Sequence, residues 1–295
     1  MRNFKNFIGK EEIINNIQIF IRASKTNKKV LDHILITGQP GMGKTTLAKC
    51  IAKELDTSIK IIQGPEIKTR IDILNTIYFL KEGDILFIDE IHSINKGCFE
   101  ILYNLMDNFK ININIGKEGN QKISCLSVPR FTLIGATTLL GILPDPFEDR
   151  FGININLNNY TNDEIIRILN NENKEKILND YEIKKISEHS KFTPRIAKKI
   201  YKRVSDFKQG TKLDIDKILL KLNIYEKGIS DLDLRYLSLL EDRSSLSLKT
   251  ISQTLNIDEK TILNKIEPYL FKIRFIEKSS KGRKLTKIGS EFFKK

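Results

Sequence analysis

The stretch Gly38-Gln39-Pro40-Gly41-Met42-Gly43-Lys44-Thr45 decides the fold. Glycine, four residues, glycine, lysine and threonine follow one another at the spacing of a phosphate-binding loop. The apolar run His33-Ile34-Leu35-Ile36 in front of it reads as a buried strand. Thr46-Leu47-Ala48-Lys49-Cys50-Ile51-Ala52-Lys53-Glu54-Leu55 behind it reads as a helix. This context separates such a loop from a plain glycine-rich turn, because backbone N–H groups at a helix start then point at a phosphate. In that geometry Lys44 lies against the β- and γ-phosphates and the Thr45 hydroxyl holds Mg²⁺.

A second element strengthens the first. Asp84-Ile85-Leu86-Phe87-Ile88-Asp89-Glu90 is an apolar strand ending in two carboxylates. Asp89 is placed to hold the metal's water shell, and Glu90 to take a proton from an attacking water. Acids at a helix start can also serve only as caps. Together with the loop upstream, the pair implies an ATPase.

The chain has 295 residues, enough for two or three domains. Hydrophobic content of 40% and charged content of 29% fit a globular protein with a core. No apolar run approaches the roughly twenty residues of a membrane helix, and Met1-Arg2-Asn3-Phe4-Lys5-Asn6-Phe7 lacks a signal-peptide core. A cytoplasmic protein is expected. Cys50, Cys98 and Cys125 are isolated in apolar patterns and read as small core residues in a reducing compartment. The net charge of +13 attracts polyanions. The abundance of Lys, Asn and Ile also fits AT-rich codon usage, so where the charge clusters matters more than the total.

Apolar spacing at Ile13, Ile14, Ile17, Phe20 and Ile21 predicts a first helix. Further strands at 59–62 and 131–136 and helices at 71–80 and 96–109 alternate, which argues for a parallel sheet covered by helices. Lys110-Ile111-Asn112-Ile113-Asn114-Ile115 breaks the rhythm with strict alternation, Gly116-Lys117-Glu118-Gly119 is a turn signal, and Ile123-Ser124-Cys125 starts a return strand. A β-hairpin over 110–130 is expected, either decorative or an arm whose isoleucine face meets a partner. Beyond Tyr160 the pattern turns helical, with a capping box at Thr161-Asn162-Asp163-Glu164 and a helix opened by Thr193-Pro194-Arg195. Gly210 and Gly228 read as boundaries.

Arg150 follows the strand ending at Ala136-Thr137-Thr138. In multi-subunit ATPases an arginine here reaches the neighbour's γ-phosphate; the plainer reading pairs it with Asp149 or Glu148. A Thr138 or Thr137 hydroxyl at that strand end can orient the attacking water. Arg195, at a helix start, can lie over the phosphates. From Ser230 the chain reads as helices over 231–240, 248–255 and 258–270, then a basic hairpin over 271–288. Lys260 and Lys265 lie on the third helix. Lys272, Arg274, Lys278, Lys281, Arg283, Lys284 and Lys287 crowd the hairpin, with Gly282 suited to a turn at its tip. That is a winged-helix layout gripping phosphates through the wing.

These residues resemble the RuvB family of AAA+ motors over nearly the whole chain. The resemblance rests on Leu31-Asp32-His33, Gly41-Met42-Gly43-Lys44-Thr45-Thr46, Gly83-Asp84-Ile85-Leu86-Phe87-Ile88-Asp89-Glu90-Ile91-His92 and Phe131-Thr132-Leu133-Ile134-Gly135-Ala136-Thr137-Thr138. It continues through Asp149-Arg150-Phe151-Gly152, Thr193-Pro194-Arg195-Ile196-Ala197, Glu267-Pro268-Tyr269-Leu270 and Lys281-Gly282-Arg283. It implies a hexameric ring on double-stranded DNA at four-way (Holliday) junctions, working with RuvA and driven by ATP hydrolysis. It implies that Gly41, Gly43, Lys44, Thr45 and Thr46 bind ATP and Mg²⁺, that Asp89 and Glu90 serve hydrolysis, and that Arg150 is the finger. Tyr160 and Arg195 would add nucleotide contacts, Lys278 and Arg283 DNA contacts beside Lys281, and the hairpin around Ile111, Ile113 and Ile115 the RuvA-docking arm.

The implied architecture is α/β: an AAA+ P-loop parallel-sheet domain over 1–160, a small helical lid over 161–228 and a winged-helix domain over 229–295. Departures from the family pattern are Gln39 for proline, Glu148 for arginine, Leu139 for arginine, Lys278 for arginine, and a shortened adenine-seating segment before Phe7-Ile8-Gly9. A clamp-loader or helicase-loader ATPase shares the loop, acids and finger but lacks the hairpin and basic wing. A DNA-binding scaffold with a non-hydrolysing site has no need of both Glu90 and Arg150.

Overall fold

A computed structural model describes residues 4–115, 122–139, 141–243 and 245–293. It divides into two compact units, Met1–Arg167 and Ile168–Lys295.

In the first unit, α1 (Glu11–Thr26) precedes β1 (Ile34–Thr37), α2 (Lys44–Leu55), β2 (Ile59–Gln63), α3 (Arg70–Ile77), β3 (Ile85–Asp89) and α4 (Phe99–Asn108). A hairpin follows, β4 (Lys110–Ile115) and β5 (Lys122–Ser127), then β6 (Thr132–Thr137), a short α5 (Asp145–Glu148) and β7 (Ile153–Asn156). Five strands form a parallel sheet in the order β2-β3-β6-β1-β7. Central strands are apolar on both faces because helices cover both: every residue of β1 and β6 is buried, as are the first four of β3. The edge strand β7 alternates, with Ile153 and Ile155 inward. The phosphate loop follows β1, the acid pair ends β3, and Thr137 ends β6. These three strands are neighbours, so their ends share one rim of the sheet.

The buried His33 ties this layer together. Its Nδ1 accepts from the Leu133 N–H at 2.9 Å and its Nε2 lies 3.1 Å from the Met106 carbonyl. The first bond makes Nδ1 the acceptor, so the proton sits on Nε2.

The hairpin is present, with Lys110 opposite Ser127 and Ile115 opposite Lys122. Two expectations change. Ile111, assigned to a docking face, is buried among Leu105, Met106 and Phe131 in the core, because it is the first inward residue where the hairpin leaves the domain. Cys125, expected in the core, is exposed, because β5 stands away from the central sheet; Cys50 and Cys98 are buried. The turn at 116–121 lies outside the described residues.

The second unit takes in the end of α6 (Asn162–Glu172), then α7 (Asp180–Glu188), α8 (Pro194–Gly210) and α9 (Ile215–Lys221). Thr161 and Glu164 form the expected capping box: each backbone N–H donates to the other's side chain, at 2.7 and 3.1 Å. Helix α8 buries Ala197, Ile200 and Val204, the three-and-four spacing of one helix face. The C-terminal part has α10 (Asp231–Glu241), α11 (Leu248–Leu255), α12 (Glu259–Thr261), α13 (Glu267–Lys272), the hairpin β8 (Ile276–Ser279) and β9 (Gly282–Leu285), and α14 (Lys287–Phe293).

The single helix expected over 258–270 is interrupted by a π turn, Ile262–Ile266. Pro268 lacks the N–H that the Asn264 carbonyl would accept in an α-ladder, and the wider turn absorbs the break. Helix α14 replaces the end of the expected hairpin, with Phe292 against Phe275 at 5.0 Å between rings.

Candidate functional site

The loop between β1 and α2 is shaped by glycines at positive φ, Gly41 at 86° and Gly43 at 102°. Lys44 is the first residue of α2, and its Nζ donates to the Gly38 carbonyl at 2.7 Å and the Gln39 carbonyl at 3.3 Å, so its charge stays inside the loop's curve. Thr45 and Thr46 follow in the first helical turn. The Thr45 hydroxyl donates to Asp89 Oδ2 at 3.2 Å. A hydroxyl and a carboxylate so close are the hard oxygen donors that Mg²⁺ takes. Tyr160 stands on the other side: its hydroxyl donates to the Met42 carbonyl at 3.1 Å, and burial pushes its own pKa up. A Cβ built on Gly43 would lie 3.6 Å from both the Phe7 ring and the Tyr160 hydroxyl, so two aromatic groups flank the loop. The Lys10 ammonium sits 4.5 Å over the Tyr160 ring and 3.4 Å from Glu164, fastening the N-terminal segment there.

Glu90 adopts a left-handed backbone, φ 52° and ψ 44°, uncommon for a residue with a side chain. The turn packs closely on Gly64, where a Cβ would stand 2.2 Å from the Glu90 carbonyl oxygen. This turn lifts the carboxylate off the strand. Its Oε2 lies 3.5 Å from the Thr138 hydroxyl and 3.4 Å from His92 Nε2. His92 Nδ1 in turn lies 2.9 Å from Thr137 Oγ1.

Arg150 follows α5, anchored by Phe147, whose ring meets Phe99 at 4.8 Å and Phe151 at 5.3 Å. The plainer reading paired Arg150 with Asp149 or Glu148. Its partner is instead Asp107: Nε and Nη2 each lie 2.9 Å from Oδ2. Nη1 donates to the Pro146 carbonyl, and the guanidinium lies 4.7 Å over the Tyr103 ring.

On the wing, Lys278 and Lys281 are exposed, with Ser280 and Lys281 forming the two-residue tip. Arg283 departs from expectation. It is 8% exposed, with Nε 2.8 Å from Glu267 Oε1 and Nη2 3.3 Å from Oε2. Tyr236 donates to the same Glu267 oxygen at 2.9 Å. The hydrogen bond to Glu267 raises the Arg283 pKa further, so the guanidinium stays charged and held inward. Gly282 differs too: at φ 129°, a Cβ there would meet the Leu246 carbonyl oxygen at 2.1 Å. Glycine is needed where two backbones cross, one step beyond the tip. Arg195 is exposed in the first turn of α8, in the second unit.

Residues 1–157 match the family model described as the Holliday junction DNA helicase RuvB P-loop domain, and residues 226–294 match the RuvB C-terminal winged helix domain. The chain belongs to the RuvB family. It is 47% identical over 293 residues to the Holliday junction branch migration complex subunit RuvB of Mycoplasma genitalium, covering 98% of this chain and 95% of that one. The same subunit of Ureaplasma parvum is 45% identical over 294 residues, covering 98% and 94%. The solved structure of the Thermotoga maritima RuvB Holliday junction branch migration motor superposes with a TM-score of 0.86 at 32% identity, covering 100% of this chain and 97% of that one. The fold is therefore the AAA+ P-loop parallel sheet followed by a C-terminal winged helix. No helix among the described residues is long and apolar enough to cross a membrane.

In this RuvB-family chain the geometry brings Lys44, Thr45, Asp89, Glu90, Thr138 and Tyr160 around one loop. It does not bring Arg150 to them within the subunit, since Asp107 holds it. Sequence reading passed over Lys10 beside the loop and Asp107 and Tyr103 under the arginine, and it named Phe7 and Glu267 only within motifs, without the roles they take here. It saw His92 only as part of a motif. The position directly after Glu90-Ile91 was the one available signal.

Proposed function

We propose that this RuvB-family chain is an ATP-driven motor that moves the crossover of Holliday junctions. The observation that carries the reading is the meeting of Thr45, Asp89 and Glu90 at neighbouring strand ends beside the phosphate loop. ATP lies with its phosphates along Gly41, Gly43 and Lys44. Thr46, Tyr160 and Arg195 add contacts. The Thr45 hydroxyl and the Asp89 carboxylate hold Mg²⁺, which when bound draws charge off the phosphates. Glu90 takes the proton from the attacking water as its oxygen bonds the γ-phosphorus and the bond to the β–γ bridging oxygen breaks, and Thr138 orients that water. Arg150 serves a neighbour's site in a hexameric ring, which requires it to leave Asp107.

Three functional parts follow: the AAA+ domain over 1–160, the lid over 161–228 and the winged-helix domain over 229–295. Lys278 and Lys281 contact DNA phosphates. Arg283 supports them from behind the wing, a change from the expected direct contact. The 110–130 hairpin docks RuvA through its outer part, since Ile111 is spent in the core. A cytoplasmic location fits an enzyme acting on DNA.

The test is ATP-dependent dissociation of a synthetic four-way junction, with and without RuvA. Dissociation supports the motor. ATP hydrolysis without junction movement, RuvA present, favours a loader ATPase.

A further inference from the structure

His92 bridges two parts of the site that must act together. One ring nitrogen lies 2.9 Å from Thr137 Oγ1 at the end of β6, and the other lies 3.4 Å from Glu90 Oε2. The residue sits in a short turn, Ile91–Ser93, whose first residue, Ile91, is fully buried. Thr137 is itself fixed: its Oγ1 accepts from the Leu139 N–H at 3.1 Å and lies 3.1 Å from the Leu139 carbonyl oxygen. In the neutral ring the Thr137 hydroxyl donates to His92 Nδ1 and Nε2 carries the proton facing Glu90, because a bare nitrogen lone pair against a carboxylate oxygen is repulsive. The imidazole thus ties the carboxylate of Glu90, on an uncommon backbone, to the tip of the neighbouring strand.

We propose that His92 is a positioning residue for hydrolysis. It holds the Glu90 carboxylate through Nε2–H and makes that hold depend on Thr137, so a shift of the β6 tip at the γ-phosphate moves the base as well. This rests on the ATPase reading above. His92 touches neither nucleotide nor metal in this assignment, so its loss affects turnover and spares binding.

The experiment compares His92→Ala, His92→Gln and His92→Asn for steady-state ATPase and for affinity toward a fluorescent mant-ATP, with Glu90→Gln as a control. The glutamine amide reaches the place of Nε2, and the asparagine amide only that of Nδ1. A positioned base contributes roughly 10²–10⁴-fold, and losing its orientation alone is expected to cost about tenfold or more in kcat. His92→Ala should show that loss with mant-ATP affinity unchanged, His92→Gln should recover much of it, and His92→Asn should not. Histidine-selective ¹⁵N NMR gives a readout independent of turnover, since the chain has three histidines. His92 should carry a proton on Nε2, and Thr137→Val should move its ring signals while leaving those of His33 and His189. Unchanged kcat in His92→Ala, affinity falling in step with kcat, glutamine no better than asparagine, or a bare Nε2 on His92 would each overturn the proposal. Full turnover in Glu90→Gln would overturn the base assignment itself and this inference with it.

Discussion

The guanidinium of Arg283 is clasped by the carboxylate of Glu267, with Nε–Oε1 at 2.8 Å and both side chains buried behind the wing. Two residues away, Lys281 is exposed at the wing tip. Removing one partner of a buried pair strands the other's charge, so Arg283→Ala is expected to destabilise the C-terminal unit by about 3–5 kcal/mol. Urea denaturation should show this, with DNA affinity lost as the unit unfolds. The Lys278→Ala, Lys281→Ala double variant should keep its stability. Its salt dependence of DNA binding should become shallower by roughly 1.8 in log–log slope, about 0.9 per lost contact.

Arg150 and Glu90 are expected to serve different subunits' sites. Arg150→Ala should lose roughly 10³-fold or more in turnover, and Glu90→Gln should bind ATP without turning it over. Mixing the two inactive proteins should restore part of the ATPase activity, because intact arginines then meet intact bases across subunit boundaries. Absence of any recovery across mixing ratios would place the arginine's effect within its own subunit.

The first unit should weaken in mild acid through His33. Burial, the largest influence, lowers its pKa below the ordinary 6.5, against the opposing hydrogen bond to Met106. The unfolded chain then takes up a proton at a pH where the folded ring is still neutral, so stability is complete above 6.5 and is lost as pH falls toward the folded value. Urea midpoints between about pH 7.5 and about pH 5.5 should fall for the parent. They should fall less steeply for His33→Gln, which starts lower but has no ring to protonate.

Two glycines should resist replacement for a shared reason with different readouts. A Cβ at Gly64 would stand 2.2 Å from the Glu90 carbonyl oxygen, and one at Gly282 2.1 Å from that of Leu246. Each alanine is expected to cost about 1–3 kcal/mol. Gly64→Ala should depress ATPase activity, while Gly282→Ala should depress DNA binding first.

Much of this was legible in the sequence because the signals are local. The phosphate loop, the strand ending in Asp89-Glu90 and the Thr161–Glu164 box each lie within a few residues and depend on nothing distant. Burial was less legible. Arg283 and Lys281 are alike as basic letters, and only Glu267, sixteen residues earlier, decides that one turns inward. The partner of Arg150 lies forty-three residues back on α4. Alternation placed Ile111, Ile113 and Ile115 on one face, but it does not mark where the domain ends and the arm begins. The π turn follows from Pro268, yet a proline after ten helical residues reads equally as a stop.

Leu246 and Arg283 exchange two backbone hydrogen bonds, at 2.9 and 2.7 Å, where Gly282 lets the chains cross. This stitch joins the wing to the segment entering α11 through main chain. The wing is thus anchored at two places along the main chain, at its own strand ends and at this crossing. If the wing grips DNA as proposed, this second main-chain anchor should stiffen its base, so that less of any pull on Lys278 or Lys281 is spent in flexing the hairpin.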